Sequence, residues 1–583
     1  MTRTMVLIGA GLLFGGATFY ACTDGGGQGR QTPVAGGPSA PTPPPAQAPD
    51  PDPAPPDYSP LAFAQARIGQ VDNPEAVIPP QCYTKTDGDF NPCWTCHTAV
   101  TQRNHKGDWA LQAEYAFSDL GLTNHWTNLF EDYSSDVAAI SDEEMLEYIR
   151  EDNYTPFMAA MAKEVGYAGW TPDMDFSAGF DEEGFANDGS WWRAFRYKPF
   201  LGTFWPTNGA TDDVLIRLPA KYYTDDNGNE SVEIYKANLA ILEASITTPG
   251  SLTAQPDRQI EPVNEIIAGV DLNGDSLLSE SVTRVTQLPE FYVGAAFDVP
   301  VKKNLYPKGV EFLHTVRYID PESPNLLSER MKEVRYSVKY RETDQWAVSN
   351  FYEREDNAKE EEKLPIFQGA GTSGFVNEIG WRLQGFIEDD LGRLRAQTDQ
   401  EHYYCMGCHS NIGVTMDQTF GLPRKVPGAD GWGHQDLAGI PDVPQHGHRE
   451  PEILTYFKRN GGGDEFRNND EVLARFFSNG QVDEAAVRRA APGGDRDIRH
   501  LVVPSNERAF ALNKAYMALV RQQQFEFGRD PMLTPTENVH PFIEEISAGL
   551  DPDEIFTDGS IWLDWSDWLN RSAPVSGADS SSD

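Results

Sequence analysis

Two Cys-x-x-Cys-His units limit what this chain can be more than any other feature. They are Cys93-Trp94-Thr95-Cys96-His97 and Cys405-Met406-Gly407-Cys408-His409, and they use four of the six cysteines in 583 residues. From the chain's own 6 cysteines and 11 histidines, one such unit is expected by chance of order one time in a thousand. Two of them argue for chemistry rather than accident. No internal repeat links their surroundings, so the chain is not a tandem array of one module.

Two thiols three positions apart lie on one helical turn. There they can form thioether bonds to the two vinyl groups of a haem, with the following histidine coordinating the iron from below. A zinc site would instead pair the two Cys-x-x-Cys units in one tetrahedral centre. A thioredoxin-like redox pair would need a βαβ pattern that neither motif has around it. On these two motifs the chain resembles the dihaem c-type cytochromes, a resemblance that covers only about ten residues. It implies two covalently bound haem c groups, held by Cys93, Cys96, Cys405 and Cys408, with His97 and His409 as the proximal iron ligands.

The far side of each iron would take a histidine, a methionine or no protein ligand. His105 and His402 are too close in sequence to their own motifs to reach round a porphyrin, at ~3.4 Å of chain per residue, though either could serve the other haem. His125, in Leu-Thr-Asn-His-Trp, is far enough along and has aromatic cover. His314 lies in a strand-like run where alternation places it with Phe312, Val316 and Tyr318. A histidine on such a face is either an ordinary core residue or, beside a haem, a distal ligand. His434, His446 and His448 occupy a Gly/Pro-rich loop after the second motif, and Met158, Met161 or Met174 could ligate the first haem.

The first residues read as an export signal. Arg3 precedes a short apolar stretch, Met5 to Tyr20, below the ~20 residues that span a bilayer. It ends at Ala21-Cys22, which resembles a bacterial lipoprotein cleavage site with Cys22 as the lipidated residue. An uncleaved anchor or a plain secretory signal are the alternatives, and all three place the body outside the cytoplasm. From 23 to 60 the chain is rich in Pro, Gly, Ala and Gln, the composition of a disordered tether. The net charge of −42 excludes nucleic acid as a partner and suits redox partner proteins with basic surfaces. Cys82 is left over, either as a core thiol or in a haem-directed role, or in a disulfide if Cys22 stays unlipidated.

Between the motifs, 141–165 reads as a helix with three acidic residues in its first turn. Strand-like runs occur at 214–218, 311–319 and 380–387, and Ser505 is the expected N-cap of a helix to 524. The second motif is expected to open a helix. Asp271, Asn273, Asp275 and Glu280 offer alternating oxygens for calcium, against a plain acidic turn. Asp225-Asp226-Asn227-Gly228-Asn229 reads as a hairpin turn. The expected fold is mixed α+β, with helical haem-attachment segments around an irregular, partly β centre and a disordered tether before it. The chain divides as 1–22 signal, 23–60 tether, 61–205 first haem region, 206–375 central region, 376–565 second haem region and 566–583 disordered tail. The functional expectation is electron transfer by a membrane-tethered protein of the periplasm or outer membrane. The alternatives are a dihaem oxidoreductase with one open haem face, acting on peroxide, oxygen or another small substrate, and a subunit of a larger electron-transfer complex.

Overall fold

The β-branched and aromatic runs of the central region assemble into one antiparallel sheet. In the computed structural model the described residues are 58–85, 91–100, 106–114, 117–361, 363–410, 412–461, 469–544, 552–553 and 555–572. Cys22, the tether to residue 57 and the chain's last residues lie outside them. The sheet has eight strands: β1 Arg193–Phe195, β2 Thr211–Arg217, β3 Glu311–Ile319, β4 Leu327–Lys339, β5 Gln368–Ala370, β6 Gly374–Val376, β7 Trp381–Glu388 and β8 Leu394–Ala396. Their order is β1-β2-β3-β4-β7-β6-β5, and β8 pairs the far end of β7. It thus draws on all three stretches marked out from the sequence, 61–205, 206–375 and 376–565.

Both faces of the sheet are covered. Leu215, Leu313, Val334 and Phe386 point to one side, packing against helix α2 Tyr154–Met161, with the Phe157 ring tilted 4.7 Å from that of Phe386. Val214, Ile216, Phe312 and Leu383 point to the other, toward Met406, Met416 and Leu422 around the second cysteine motif. The register Val214–His314–Arg335–Gly385 runs across that second face. Simple alternation hides this arrangement, because Asp212, Asp213, Arg317, Glu333 and Lys339 are buried within the strands. Each has a partner, as buried charge demands: Lys339 meets Asp417 at 2.7 Å and Arg317 meets Asp213 at 3.1 Å.

The expected fold class, a mixture of helices and antiparallel strands, is what the chain adopts. Three of the strand-like runs become β2, β3 and β7. The stretch 141–165 is two helices, α1 Asp142–Ile149 and α2, rather than one. Ser141 caps α1, as a serine before an acidic first turn should. The break comes at Asp152, whose carboxylate takes the backbone N–H of Tyr154 (2.7 Å), and at Asn153, whose amide reaches across to the Met331 and Gly392 carbonyls. Helix α3 Val232–Ile246 is buried almost throughout, and α5 Asn506–Gln522 starts at its Ser505 cap and is fixed to β3 through Asn513 on the Ile319 backbone. A short helix, Ser566–Ser572, enters the stretch read as tail, with Trp565 and Trp568 packed 5.7 Å apart. Among the described residues no helix is long and apolar enough to cross a membrane.

A fully buried ion cluster links the segment after β1 to the helix Glu452–Arg459. Arg424 forks onto Glu452 at 2.9 and 2.7 Å, and Lys198 bonds both Glu452 and Asp442. Burial raises the Glu452 carboxyl, but Arg424 and Lys198 outweigh it and hold it down at about 2. Removing this carboxylate strands the buried Arg424 guanidinium and leaves Lys198 with Asp442 alone. Glu452→Ala is therefore expected to destabilise the protein by ~3–5 kcal/mol in denaturant melts. The carboxylate's contribution is complete above the ordinary glutamate range and lost as pH falls toward 2, so the wild-type and variant stabilities should converge in strong acid.

Candidate functional site

The second cysteine motif closes a helix rather than opening one. Helix α4, Asp399–Cys408, starts with a capping box in which the Thr398 hydroxyl accepts from Glu401 and the Glu401 carboxylate accepts from Thr398. This fixes the helix start, so Cys405 and Cys408 fall on its last turn and His409 on its C-cap. Gly407 is needed there, because a Cβ would stand 2.0 Å from the Val77 carbonyl oxygen. The first motif forms a tight turn, Cys93–Thr95, with the His97 N–H bonded to the Cys93 carbonyl at 2.9 Å.

Some three hundred residues apart in sequence, the two motifs meet in space. The Val414 N–H reaches the Cys96 carbonyl at 3.4 Å, and buried Asp108 accepts from the Gly413 N–H while lying 3.9 Å from His97 Nδ1. The sulfurs sense one another: burial first, then Cys96, pushes the Cys408 thiol up to about 12, and burial pushes Cys96 up to about 11. Cys96, Cys405 and Cys408 form no disulfide.

The donor set suits the cofactor that the motifs imply. His409 Nδ1 lies 3.0 Å from the Gln418 carbonyl, which can only accept, so Nδ1 carries the proton and Nε2 keeps its lone pair for a metal. Burial holds the His409 imidazole neutral, down to about 4. Cys96, Cys408, His97 and His409 nevertheless keep part of their surface accessible. These thiols and imidazoles thus reach accessible surface rather than closing wholly into packing. The residues present therefore fit a haem at each segment: Cys93 and Cys96 with His97, and Cys405 and Cys408 with His409.

The other sequence candidates are scattered. His314 joins the second motif, close enough for its charge to be felt at His409. Its Nε2 is tied to Asp212 at 2.9 Å and its ring packs edge-on against Phe204. His125 sits with Trp126, its ring nitrogen 3.3 Å from the Leu120 carbonyl. His434 bonds Asp213 at 2.9 Å. His402, fully buried on α4 beside the Leu383 backbone, is held neutral by burial and by Arg529, down to about 3. In the acidic loop, Asp271 accepts from the Gly274 and Ser276 N–H groups and Asp275 from Leu277, so these oxygens organise the turn itself, while Glu280 is exposed. Among the described residues no three His, Cys, Asp or Glu side chains are gathered so as to hold a metal ion. Asp225 closes the other turn through Asn229. The sequence reading missed Arg335, Glu333 and Arg529, whose charges surround α4. Burial raises the Glu333 carboxyl, but Arg335 and Arg529 outweigh it.

A family model described as ":-like lipoprotein" matches residues 66–487. An uncharacterized lipoprotein of Aquifex aeolicus (strain VF5) is 33% identical over 523 residues, covering 79% of this chain and 86% of the relative. No solved structure matches. These matches correct the kinship drawn from the two motifs: about ten residues of shared motif are outweighed by likeness along most of the chain to proteins named as lipoproteins, not as dihaem c-type cytochromes. The chain belongs to this lipoprotein family, whose name implies a lipid-anchored protein of the cell envelope.

Proposed function

We propose that this lipoprotein transfers electrons outside the cytoplasm, using haem covalently held at its two Cys-x-x-Cys-His segments. The observation that carries the reading is their convergence, with Val414 bonded to Cys96 and the Cys96 and Cys408 sulfurs within electrostatic reach. Bound haem would supply a one-electron iron centre at each segment. The chain's residues do the rest. The four cysteines fix position, and Gln418 orients His409. Asp108 lies where it can orient His97. The buried sheet face excludes bulk water, which lowers the reorganisation that each change of charge demands. The strongly acidic chain, at −42, favours a redox partner with a basic surface.

A second reading, an oxidoreductase with one open haem face, is favoured by one observation. His314, beside His409, has its Nε2 hydrogen-bonded to Asp212, an arrangement able to take up or deliver a proton. Ferric spin state separates the two: two low-spin centres support the carrier, one high-spin centre the enzyme.

Expressed with a haem-attachment system, the full chain should carry two haems that survive denaturation and acid-acetone extraction. Cys96→Ala and Cys408→Ala should each remove one covalent haem, read by intact mass; full loading in either variant would refute the reading. Gly407→Ala, which drives a methyl group into the Val77 backbone, should lower loading at the second segment and spare the first, as peptide mapping of the attached haems would reveal. The anchor assigned to Cys22 is tested by fractionation. Cys22→Ser should release the protein from membranes, and with Thr23 rather than Asp following the cysteine, the wild type should sort to the outer membrane.

A further inference from the structure

Arg335 stands in the middle of the sheet, paired across the strands with His314 on one side and Gly385 on the other. Its Nε is spent on Glu333 at 2.9 Å, while Nη1 and Nη2 meet no acceptor among the described residues. The side chain keeps 17% of its surface, so the outer fork opens into space rather than into packing. Its charge is felt at Cys405, Cys408 and His409, which puts that space beside the second segment. Phe204 walls it, with the Arg335 guanidinium 5.2 Å from the ring centroid and the His314 ring at 5.0 Å. Phe204 itself holds a left-handed backbone (φ 51°), uncommon for an aromatic residue.

The carboxylates nearest the fork are already shared. Glu333 is shared with Arg529, at 3.2 Å, and accepts from Gln397 at 3.2 Å. Glu401 is already forked by Arg395 at 2.8 and 2.9 Å. Arg395 is thus met by Glu401 and Arg529 by Glu333, while Arg335 shares its one carboxylate and keeps its two outer N–H groups unspent. Partly buried donors left unspent favour a partner that completes them, and a guanidinium fork selects planar oxyanions that accept two parallel hydrogen bonds.

We infer that the open fork of Arg335, backed by Glu333 and walled by Phe204, receives a carboxylate or a similarly small planar oxyanion. The oxyanion comes either from a carboxylate of haem attached at the second segment or from solution, and the first source rests on the function proposed above. Its place against His314 on the same sheet face makes the fork the specificity-determining group of that space.

The test uses the full-length protein and two variants. Arg335→Gln removes charge and fork, while Arg335→Lys keeps the charge, and with it the partner for Glu333, but loses the fork. Haem content, haem reduction potentials and melting temperature with sodium nitrite or sodium acetate are measured on each. If the haem supplies the oxyanion, Arg335→Gln lowers one of the two potentials, because a nearby cation favours the reduced iron, and added salt of either anion changes nothing. A tenfold change in that preference reads as ~59 mV for a one-electron couple. If the oxyanion comes from solution, nitrite or acetate raises the wild-type melting temperature and binds about tenfold more weakly to Arg335→Lys. Unchanged potentials and no anion response in either variant overturn the inference. Protein without haem defeats the electron-transfer reading by itself, and the nitrite and acetate melts on that same protein still decide the role of Arg335.

Discussion

The Glu333 carboxylate joins the sheet to the second cysteine motif. It lies on the central strand β4, with Arg335 and Arg529 holding it ionised, and Gln397 donates to it from the entrance of α4. Gln397 in turn meets the Cys405 sulfur at 3.7 Å and fills the space that Gly385 leaves, since a Cβ there would touch its amide at 2.4 Å. Arg529 extends the chain of contacts to the Glu401 carbonyl. Each group leans on the next, so moving one disturbs the pairing of a buried charge. Networks of this kind fix geometry more than they add stability.

The first motif is held by different means. Asp108 spans from His97 to the backbone of the loop that follows the second motif, and the Gln112 amide closes on the His97 carbonyl. One motif thus belongs to the sheet, and the other is carried to it by a buried aspartate and a backbone hydrogen bond. The pairing tolerates two quite different local structures, a turn of helix and a tight turn, because the spacing of thiols and imidazole needs only about one turn of chain.

Much of the scaffold could be read from local pattern. β3 coincides with the β-branched run 311–319, and Ser141 and Ser505 cap helices where serine precedes a helical pattern. The motifs themselves were plain, but their wider kinship was not, since ten residues say little about the remaining chain. What sequence could not yield was long-range: that 93–97 and 405–409 meet, or that Arg335 and Glu333 face inward. Charged residues in a strand usually mark its wet side, and here they mark a dry one because each finds a partner contributed from elsewhere in the chain. The two-helix break at Asp152 was missed for the same reason, since Asn153 is held by carbonyls on the sheet.

The contact between Gly407 and the Val77 backbone has a consequence for order of events. Once the chain has closed there, the thiols near it are desolvated, with Cys96 and Cys408 held far above neutral pH as uncharged sulfhydryls. An uncharged sulfhydryl is a poor nucleophile. Any bond these sulfurs make is therefore favoured early, on a chain still open, and disfavoured late. Joining segments so distant in sequence is itself slow, and that delay is the interval in which the sulfurs can react. The same closure that keeps the thiols protonated afterwards makes a missed modification hard to repair.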